Sequence, residues 1–377
     1  MRKILVINAG SSSVKFAVFL GAEQVIAGKA EEIGGRSRLK IEGQMQQMDL
    51  PDHKTAVAAC LSALAQAGHG LDGLTAAAHR VVHGGIAFVA PCRIDAAVIS
   101  GIDACVPLAP LHNPGNLAAI RALAGLAPDL PQFASFDTAF HATQPEVAAR
   151  YAVPAEVEAL GIRRYGFHGI SYAGLTETLA NRASLPRRLL ALHLGNGASL
   201  CAIRDGQSVA TTMGYSPLEG LTMGTRAGGI DGNAVLRLAQ VHGIEAASRI
   251  LNHESGLLGL GGASDMRALS QLGTSQAGFA RDHFIYWAVR HAGSMIAAMG
   301  GLDALAFTAG IGENDADIRA GIMAGLAFTG LRFDPAANAS GVEKLHDAGS
   351  DVAAWVIPAN EEARIAAEAG ALMDKGM

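Results

Sequence analysis

The stretch that most constrains the fold lies at the start of the chain, where two apolar runs flank a turn of one glycine and three serines. Residues 4–7 and 14–19 form the runs and residues 10–13 the turn, a pattern that predicts a β-hairpin. The N–H groups and hydroxyls of the turn, with the Lys15 ammonium, suit a phosphate. Asn8 offers an oxygen to a metal or a metal-bound water. An ordinary glycine and serine turn is the alternative that this stretch leaves open.

The hairpin pattern recurs at residues 189–203, which read LLALHLGNGASLCAI. Alignment on glycine pairs Gly10 with Gly195, Ser11 with Asn196 and Ser12 with Gly197. A repeat about half a chain apart indicates two domains of like topology made by duplication. Coincidence between two glycine-rich hairpins explains the alignment equally well at this point.

The length of the chain, 377 residues, is more than one ordinary hydrophobic core holds, which favours two domains. Half of the residues are hydrophobic and 46 are glycine, as in a well-buried α/β protein with many tight turns. We expect a first domain over residues 1–140 plus a C-terminal helix over 360–377, and a second over 141–359. A cleft between them is expected.

Charge and cysteine usage exclude several classes of protein. The net charge is −5 and no basic run occurs, which argues against nucleic acid or an anionic membrane as a partner. Four cysteines without a C-x-x-C pair indicate reduced thiols in a cytoplasmic protein. The first apolar run is too short for a signal peptide, and Gly300, Gly301 and Asp303 interrupt the most apolar long stretch, so we expect no membrane span.

The remaining patterns predict alternating strands and helices. We expect strands near residues 24–27, 37–48, 75–82, 131–136, 304–308 and 355–357, and helices near 55–67, 115–124, 172–182, 279–299 and 360–373. Loops are expected at 108–114 and at the glycine-rich stretch 256–267. Strand, helix and strand in succession imply parallel pairing.

Chemistry-bearing residues cluster at the predicted strand ends. Arg80 precedes two glycines, Asp137 follows a strand, and Arg226 lies on a glycine loop. Neither the P-loop nor the Rossmann fingerprint is present to explain the glycine turns. A nucleotide, a metal and a small anion would all fit such a set of groups.

The sequence resembles the acetate kinase family in nine short stretches, which follow the family's order from Val6 to Glu362. They are VINAGSSSVKF, HRVVHGG, APLHNP, FDTAFH, RYGFHG, LHLGNGAS, MGTRAG, FTAGIGEN and ANEE. The resemblance implies the duplicated α/β fold of the actin, sugar kinase and Hsp70 ATPase superfamily, and a homodimer. It implies transfer of a phosphoryl group from ATP to acetate with Mg²⁺, or Mn²⁺, giving acetyl phosphate and ADP.

The resemblance also implies a role for each matched position. Asn8 and Glu361 lie near the metal, Asp137 is the catalytic acid, and His168 stabilises the transition state. Arg80 and Arg226 flank the carboxylate and the phosphoryl group in transfer. The implied nucleotide residues are Ser11, Ser13, Lys15, His193, Leu194, Gly195, Asn196, Gly197, Asp265, Met266, Arg267, Gly310, Ile311, Gly312, Glu313 and Asn314. The implied acetate pocket consists of Arg80, Val82, Leu111, His112, Phe167 and Pro217.

Some positions depart from the family's pattern. Gly229 and Gly232 stand where Asp and Pro are usual, Tyr172 where His is frequent, and Gly115 where a second Pro is usual. His53 is interpreted as a surface or core histidine and not as a ligand. Two other functions stay open: a kinase for propionate or a longer acid, and a chaperone-like ATPase or filament subunit. The two arginines argue against the last, because an ATPase needs no carboxylate clamp.

Overall fold

The structure is a computed structural model that describes residues 1–182 and 184–376. The chain divides into two compact units. Unit 1 comprises Met1–Ala142, Gly169–Ser171 and the chain from Asn360 onward, and unit 2 comprises Thr143–His168 and Tyr172–Ala359. Within the described ranges, no helix is both long and apolar enough to cross a membrane.

Strands and helices occur in consecutive groups along the chain, such as the strands of residues 3–47 and the helices of residues 232–299. The strands are β1 (Lys3–Ala9), β2 (Ser13–Leu20), β3 (Glu23–Glu31), β4 (Arg38–Ile41), β5 (Gln44–Gln47), β6 (Ala76–Val81), β7 (Cys92–Arg93), β8 (Gln132–Phe136), β9 (Arg188–Leu194), β10 (Ala198–Arg204), β11 (Gln207–Thr211), β12 (Ala304–Thr308) and β13 (Ala353–Val356). The α-helices are α1 (His53–Gln66), α2 (Ala96–Ala104), α3 (Asn113–Leu126), α4 (Glu146–Ala149), α5 (Ala155–Glu158), α6 (Gly169–Arg182), α7 (Gly232–His242), α8 (Ile244–Arg249), α9 (Gly256–Gly261), α10 (Met266–Leu272), α11 (Ser275–Met299), α12 (Ala309–Asn314), α13 (Ala316–Gly325), α14 (Pro335–Ser340) and α15 (Glu361–Asp374).

The sheet of unit 1 has the strand order β5-β4-β3-β2-β1-β6-β8-β7. Strand β1 is buried on both faces, because successive side chains of a strand point to opposite sides. Leu5 and Ile7 pack with residues of α1 and α3, whereas Ile4 and Val6 pack with residues of α15. The polar positions of this strand are therefore confined to its ends.

The sheet of unit 2 has the strand order β11-β10-β9-β12-β13 and repeats the central part of the first sheet. In both, an antiparallel three-stranded meander continues into two parallel strands, and β3-β2-β1-β6-β8 corresponds to β11-β10-β9-β12-β13. The parallel pairing, the opening hairpin and the recurrence of its topology are confirmed. The fold is thus a duplicated α/β unit.

Two loop predictions are wrong. Residues 256–267 contain α9 and the start of α10, because the glycines serve helix packing: a Cβ at Gly261 would come within 2.8 Å of Ala280 on α11. Gly262, at φ +85°, ends α9. The loop expected to extend to residue 114 ends at residue 112, since α3 begins at Asn113 with Pro114 in its first turn, where proline is favoured.

Candidate functional site

In unit 1, the two predicted strand-end residues Arg80 and Asp137 form a bidentate ion pair. Their strands, β6 and β8, are parallel neighbours, so both side chains leave the sheet at the same edge. Arg80 Nε lies 2.9 Å from Asp137 Oδ1 and Arg80 Nη2 lies 2.6 Å from Oδ2. Asp137 is only 1% exposed. This is the geometry that makes guanidinium–carboxylate bonds strong and directional.

The pKa values of this pair reflect burial and mutual charge. Burial raises the pKa of Asp137. The charge and hydrogen bonds of Arg80 act in the opposite direction, and the charge of Glu361 raises this pKa further. Burial acts to lower the pKa of Arg80, but the charges of Asp137 and Glu361 outweigh it and raise that pKa. Because both carboxylate oxygens lie at hydrogen-bond distance from the guanidinium, we treat the pair as ionised.

The two predicted metal residues lie around the remaining nitrogen of the same guanidinium. Arg80 Nη1 is 3.5 Å from Asn8 Oδ1, at the end of β1, and 3.5 Å from Glu361 Oε2, at the start of α15. An amide oxygen and carboxylates are the donors that Mg²⁺ prefers. Among the described residues, no group of three or more His, Cys, Asp and Glu is arranged to hold a metal by itself.

The first glycine turn is held from two helices. His53 Nε2 on α1 lies 2.7 Å from the carbonyl oxygen of Gly10, and Asn116 on α3 donates to the carbonyl of Ala9 at 2.6 Å. A Cβ at Gly115 would come within 2.7 Å of the Gly10 oxygen and 3.3 Å of His53 Nε2. The departure at Gly115 therefore makes room for the turn and its histidine.

Helix α3 also positions the chain after β6. Asn116 Oδ1 accepts from the N–H of Val82 at 3.0 Å, and Asn113 exchanges two hydrogen bonds with the backbone of His83. Asn113 lies in the stretch APLHNP and Asn116 follows it by two residues, yet the sequence analysis assigned neither a role. Leu111 itself is 44% exposed. His112 immediately precedes the helix.

In unit 2, the second glycine turn lies beside His168 and Arg226. A Cβ at Gly197 would come within 3.3 Å of His168 Nε2 and 3.7 Å of Arg226 Nη1, so glycine permits this close approach. His168 has φ +59°, a conformation that few residues other than glycine adopt and that is often found at functional sites. Arg226 donates from Nη1 to the carbonyl of Pro217 at 3.1 Å.

The His168 ring is fixed by two buried hydroxyl groups that sequence reasoning did not assign. Its Nδ1 lies 2.9 Å from Ser199 Oγ, which lies 2.5 Å from the hydroxyl of Tyr172. His193 stacks on His168 with ring centroids 4.0 Å apart. The signal for Ser199 was its place opposite His193 in the repeated hairpin.

The turn that bears Asn196 is joined to the loop before Arg226. The N–H of Gly224 donates to the carbonyl of Asn196 at 3.0 Å, and a Cβ at Gly224 would collide with the Asn196 side chain. Glycine at position 224 is thus required by close packing of these two motifs. Leu194, at the end of β9, is fully buried.

The predicted strand followed by a helix start over residues 304–314 is confirmed, but the glycine turn expected between them is part of the helix. Strand β12 ends at Thr308 and α12 begins at Ala309, so residues 310–314 lie in α12 just after this junction. Ala309 occupies φ +66° at this junction. Arg319, only 2% exposed, donates to the carbonyls of Gly312 at 3.0 Å and Glu313 at 2.8 Å, where the helix dipole favours a cation. Burial lowers the pKa of Arg319. Sequence reasoning did not identify this residue.

The predicted segment at residues 265–267 has a clear structural role. Asp265 caps α10 by accepting from the N–H groups of Arg267 and Ala268, and the bond from Ala268 is the main cause of its lowered pKa. Met266 is buried, and the Arg267 side chain is 84% exposed. The Arg267 guanidinium is exposed and pairs with the Asp265 carboxylate, with Nη2 3.4 Å from Oδ2.

The predicted pocket residues are distributed over both units. Val82 and Leu111 belong to unit 1, and Phe167 and Pro217 to unit 2. Phe167 is 1% exposed and Val82 is 8% exposed. Ser11 and Lys15 are exposed at the first hairpin and Ser13 is partly buried.

The duplicated fold is shared with solved structures of carboxylate kinases. An acetate kinase of Porphyromonas gingivalis matches with a TM-score of 0.92 and 35% identity, covering 99% of this chain and 100% of that chain. A propionate kinase of Francisella tularensis matches with a TM-score of 0.93 and 38% identity, covering 98% and 99%. The class is therefore that of kinases with a carboxyl group as acceptor.

Sequence comparison narrows this class to one family. The family model described as the acetokinase family matches residues 3–367. The acetate kinase of Streptomyces coelicolor is 44% identical over 99% of this chain and 97% of its own length. The acetate kinase of Bacteroides fragilis is 39% identical over 99% of this chain and 100% of its own length. The chain belongs to the acetokinase family.

Proposed function

We propose that the protein is an acetate kinase, which reversibly transfers the γ-phosphoryl group of ATP to acetate to give acetyl phosphate and ADP. The observation that carries the proposal is the Arg80 guanidinium, which is paired with Asp137 and has Asn8 and Glu361 at its remaining nitrogen. This cluster joins an anion clamp to oxygen donors for a metal, as transfer between two anions requires.

In unit 1, Arg80 would bind the acetate carboxylate, which is already anionic and needs no strong general base. Asp137 orients Arg80 through the bidentate pair, so its role is positioning rather than proton removal. A fixed guanidinium offers the planar pair of donors that a carboxylate or phosphoryl group binds.

The residues present fit a magnesium ion. Asn8 and Glu361 supply an amide and a carboxylate oxygen around Arg80 Nη1, and Mg²⁺ keeps several waters and few protein ligands. When bound, the ion would neutralise charge on the phosphates. Asn8 and Glu361 are the residues that we assign to hold it or its waters, and Mn²⁺ would suit the same oxygens.

In unit 2, His168 and Arg226 would stabilise the transferring phosphoryl group beside the turn that bears Gly197. The turn at residues 195–197, the segment 265–267 and the junction at 310–314 would bind ATP or ADP. Lys15, Ser11 and Ser13 of the first hairpin would contact phosphates. Each assignment rests on family membership and on the position of these groups at turns.

The pocket residues Val82, Leu111, Phe167 and Pro217 would favour an acid with one or two carbons beyond the carboxylate. One methylene in an apolar pocket discriminates by about 1–3 kcal/mol. We expect acetate first, propionate second and butyrate poor. The match to a propionate kinase keeps propionate as a second candidate substrate.

The test is ADP release and acyl phosphate formation with ATP, Mg²⁺ and each acid in turn. Acetate-dependent ADP, with acetyl phosphate trapped by hydroxylamine, is the expected result, and ATP with Mg²⁺ should raise the melting temperature by mass action. ATP hydrolysis that does not depend on any carboxylate would contradict the proposal. Preference for butyrate would contradict the assigned pocket.

We further propose a homodimer in the cytoplasm. In unit 2, α11 exposes Phe279 (57%) and Tyr286 (63%) seven residues apart, and α7 and α8 expose Leu236 and Ile244. Contiguous exposed apolar patches mark interfaces, and Phe279 and Tyr286, about two turns apart, lie on one face of α11. A second copy of this chain is the partner that we assign, and light scattering of the purified protein tests it. Four free cysteines support the cytoplasm.

A further inference from the structure

The hydroxyl groups of Tyr172 and Ser199 form a short chain that ends on His168. Tyr172 and Ser199 are both 0% exposed, so each hydroxyl must be satisfied inside the protein. The chain runs from the Tyr172 hydroxyl to Ser199 Oγ at 2.5 Å, and from Ser199 Oγ to His168 Nδ1 at 2.9 Å. These two are the partners of the Ser199 hydroxyl among the described residues.

The Tyr172 hydroxyl is the outer end of these hydrogen bonds. Burial raises the pKa of Tyr172, so the phenol keeps its proton, and its oxygen lies 2.5 Å from Ser199 Oγ. A phenol that donates to Ser199 Oγ leaves the single Ser199 proton for His168 Nδ1, 2.9 Å away. A neutral imidazole that accepts at Nδ1 carries its proton on Nε2.

We infer that Tyr172 and Ser199 are positioning residues, which fix the tautomer of His168 so that Nε2–H is aimed at the turn of Gly197 and Arg226. This inference rests on the proposed function, because it assigns His168 the task of donating to a phosphoryl oxygen. The His193 ring, stacked at 4.0 Å, holds the plane of His168 in the same orientation.

The backbone gives Tyr172 a second hold on the same histidine. The N–H of Tyr172 donates to the carbonyl of His168 at 3.0 Å, which supports the φ of +59° at that residue. A phenol keeps its proton near neutral pH, so the hydrogen bonds from Tyr172 through Ser199 to His168 keep one direction of donation.

The experiment reads the tautomer directly, by nitrogen-15 NMR of the histidine side chains in the full-length protein without substrate. The His168 signals are assigned by their loss in His168→Gln. Wild type should show protonated Nε2 and unprotonated Nδ1. In Tyr172→Phe, which keeps the ring but removes the donor, and in Ser199→Ala, the two tautomers should be mixed. Tyr165→Phe is the control, since this tyrosine is 8% exposed and its hydroxyl donates to the Gly161 carbonyl rather than to the hydrogen bonds around His168.

Kinetics supply the second readout. Loss of an orienting partner costs about 10–100-fold in metal sites, and we expect a decrease of this order in kcat for Ser199→Ala and a smaller one for Tyr172→Phe. The KM for ATP should stay within about twofold, because only the transition state uses the Nε2 proton. Tyr165→Phe should keep both the tautomer and kcat.

Three results would overturn the inference: a wild-type His168 protonated on Nδ1, a tautomer unchanged in both variants, or a changed tautomer with unchanged kcat. Melting curves of both variants separate these from unfolding, and either variant suffices for the test. The tautomer is measured without turnover. Failure of the wild type to phosphorylate acetate would therefore contradict the proposed function. The tautomer of His168 would still be tested, because the NMR spectrum is recorded without substrate.

Discussion

The hairpins β1–β2 and β9–β10 share the same strand pairing beside a glycine turn but carry different polar side chains. In each, a glycine follows the last pair of the ladder, Ala9 with Val14 in the first and Leu194 with Ala198 in the second. The next pair inward is polar in both. It is Asn8 opposite Lys15 in unit 1 and His193 opposite Ser199 in unit 2.

The equivalent pairs differ in charge. Asn8 and Lys15 lie in a unit that also bears the ionised residues Arg80 and Asp137 at strand ends and Glu361 at the start of α15. His193 and Ser199 instead support His168 by ring stacking and a hydrogen bond. The duplicated topology thus determines which positions lie beside a turn, while the residue type determines whether that turn is suited to metal and anion binding or to directed hydrogen bonds.

The two turns also differ in what holds them. Side chains from two helices bind the carbonyls of the first turn, through His53 and Asn116. A backbone N–H, that of Gly224, binds the second at Asn196. Substitutions in the two units should therefore act through different interactions.

The largest effect on stability is expected from breaking the ion pair of unit 1. Asp137→Asn leaves the Arg80 guanidinium without its carboxylate while the Arg80 side chain is only 19% exposed. Removal of one partner from a buried pair costs about 3–5 kcal/mol in the free energy of unfolding. Urea denaturation measures this loss.

The matched control is the exposed pair of Arg121 and Asp103 in the same unit, 2.8 Å apart with side chains 55% and 57% exposed. Asp103→Asn should cost about 0–1 kcal/mol. Equal small losses in both variants would show that the charge of unit 1 does not contribute to its stability.

The next effect concerns the cation of unit 2. Arg226→Ala should lower turnover roughly 10²–10³-fold, the scale for one preorganised donor, while the KM for ATP barely changes. Lys should restore little, because an ammonium lacks the planar fork. Arg80→Ala should in addition weaken acetate binding.

Arg249→Ala is the control for Arg226, since that side chain is 58% exposed and pairs with Glu254 on the surface. It should leave turnover unchanged. Near-normal turnover with lost ATP affinity in both Arg80→Ala and Arg226→Ala would place the arginines in the nucleotide site and reverse the division of tasks between the units.

Local patterns predicted the frame of each unit because they depend on near neighbours. The apolar runs on both sides of Gly10 indicated a hairpin, and glycine alignment indicated its copy. The bond between Arg80 and Asp137 depends on which strands become neighbours, and these residues are 57 positions apart. Their strand-end positions could be predicted, but not their distance.

Contacts between distant residues were beyond prediction for the same reason. His53 lies 43 positions from Gly10, and no periodicity links them. Tyr172 was visible only as a departure from a pattern, since its partner Ser199 lies on a different element. Helix α9 was missed because glycine has a poor intrinsic helix propensity, whereas packing against α11 selects it.

A smaller effect should follow from filling the space beside the first turn. Gly115→Ala places a Cβ 2.7 Å from the backbone oxygen of Gly10, and overpacking costs typically about 1–3 kcal/mol. Gly125→Ala, in the same helix with no atom within 4 Å, should instead gain up to about 1 kcal/mol. Thermal or urea unfolding compares the two, and the same sign for both would mean that the turn does not depend on this space.

The smallest effect tests the strain beside the second turn. Ala309 has φ +66°, which costs an L-residue roughly 1–2 kcal/mol, and its Cβ lies 3.6 Å from the Cβ position of Gly195. Ala309→Gly removes the backbone strain but increases the entropy of the unfolded chain, so we expect a net gain of about 0.5–1 kcal/mol in the free energy of unfolding. Ala324→Gly, at an exposed position of α13, should lose about 1 kcal/mol. Opposite signs for one substitution would show that the backbone at residue 309 is strained, whereas a loss in both would mean that the junction after β12 is relaxed and that the second turn, like the first, is limited by packing alone.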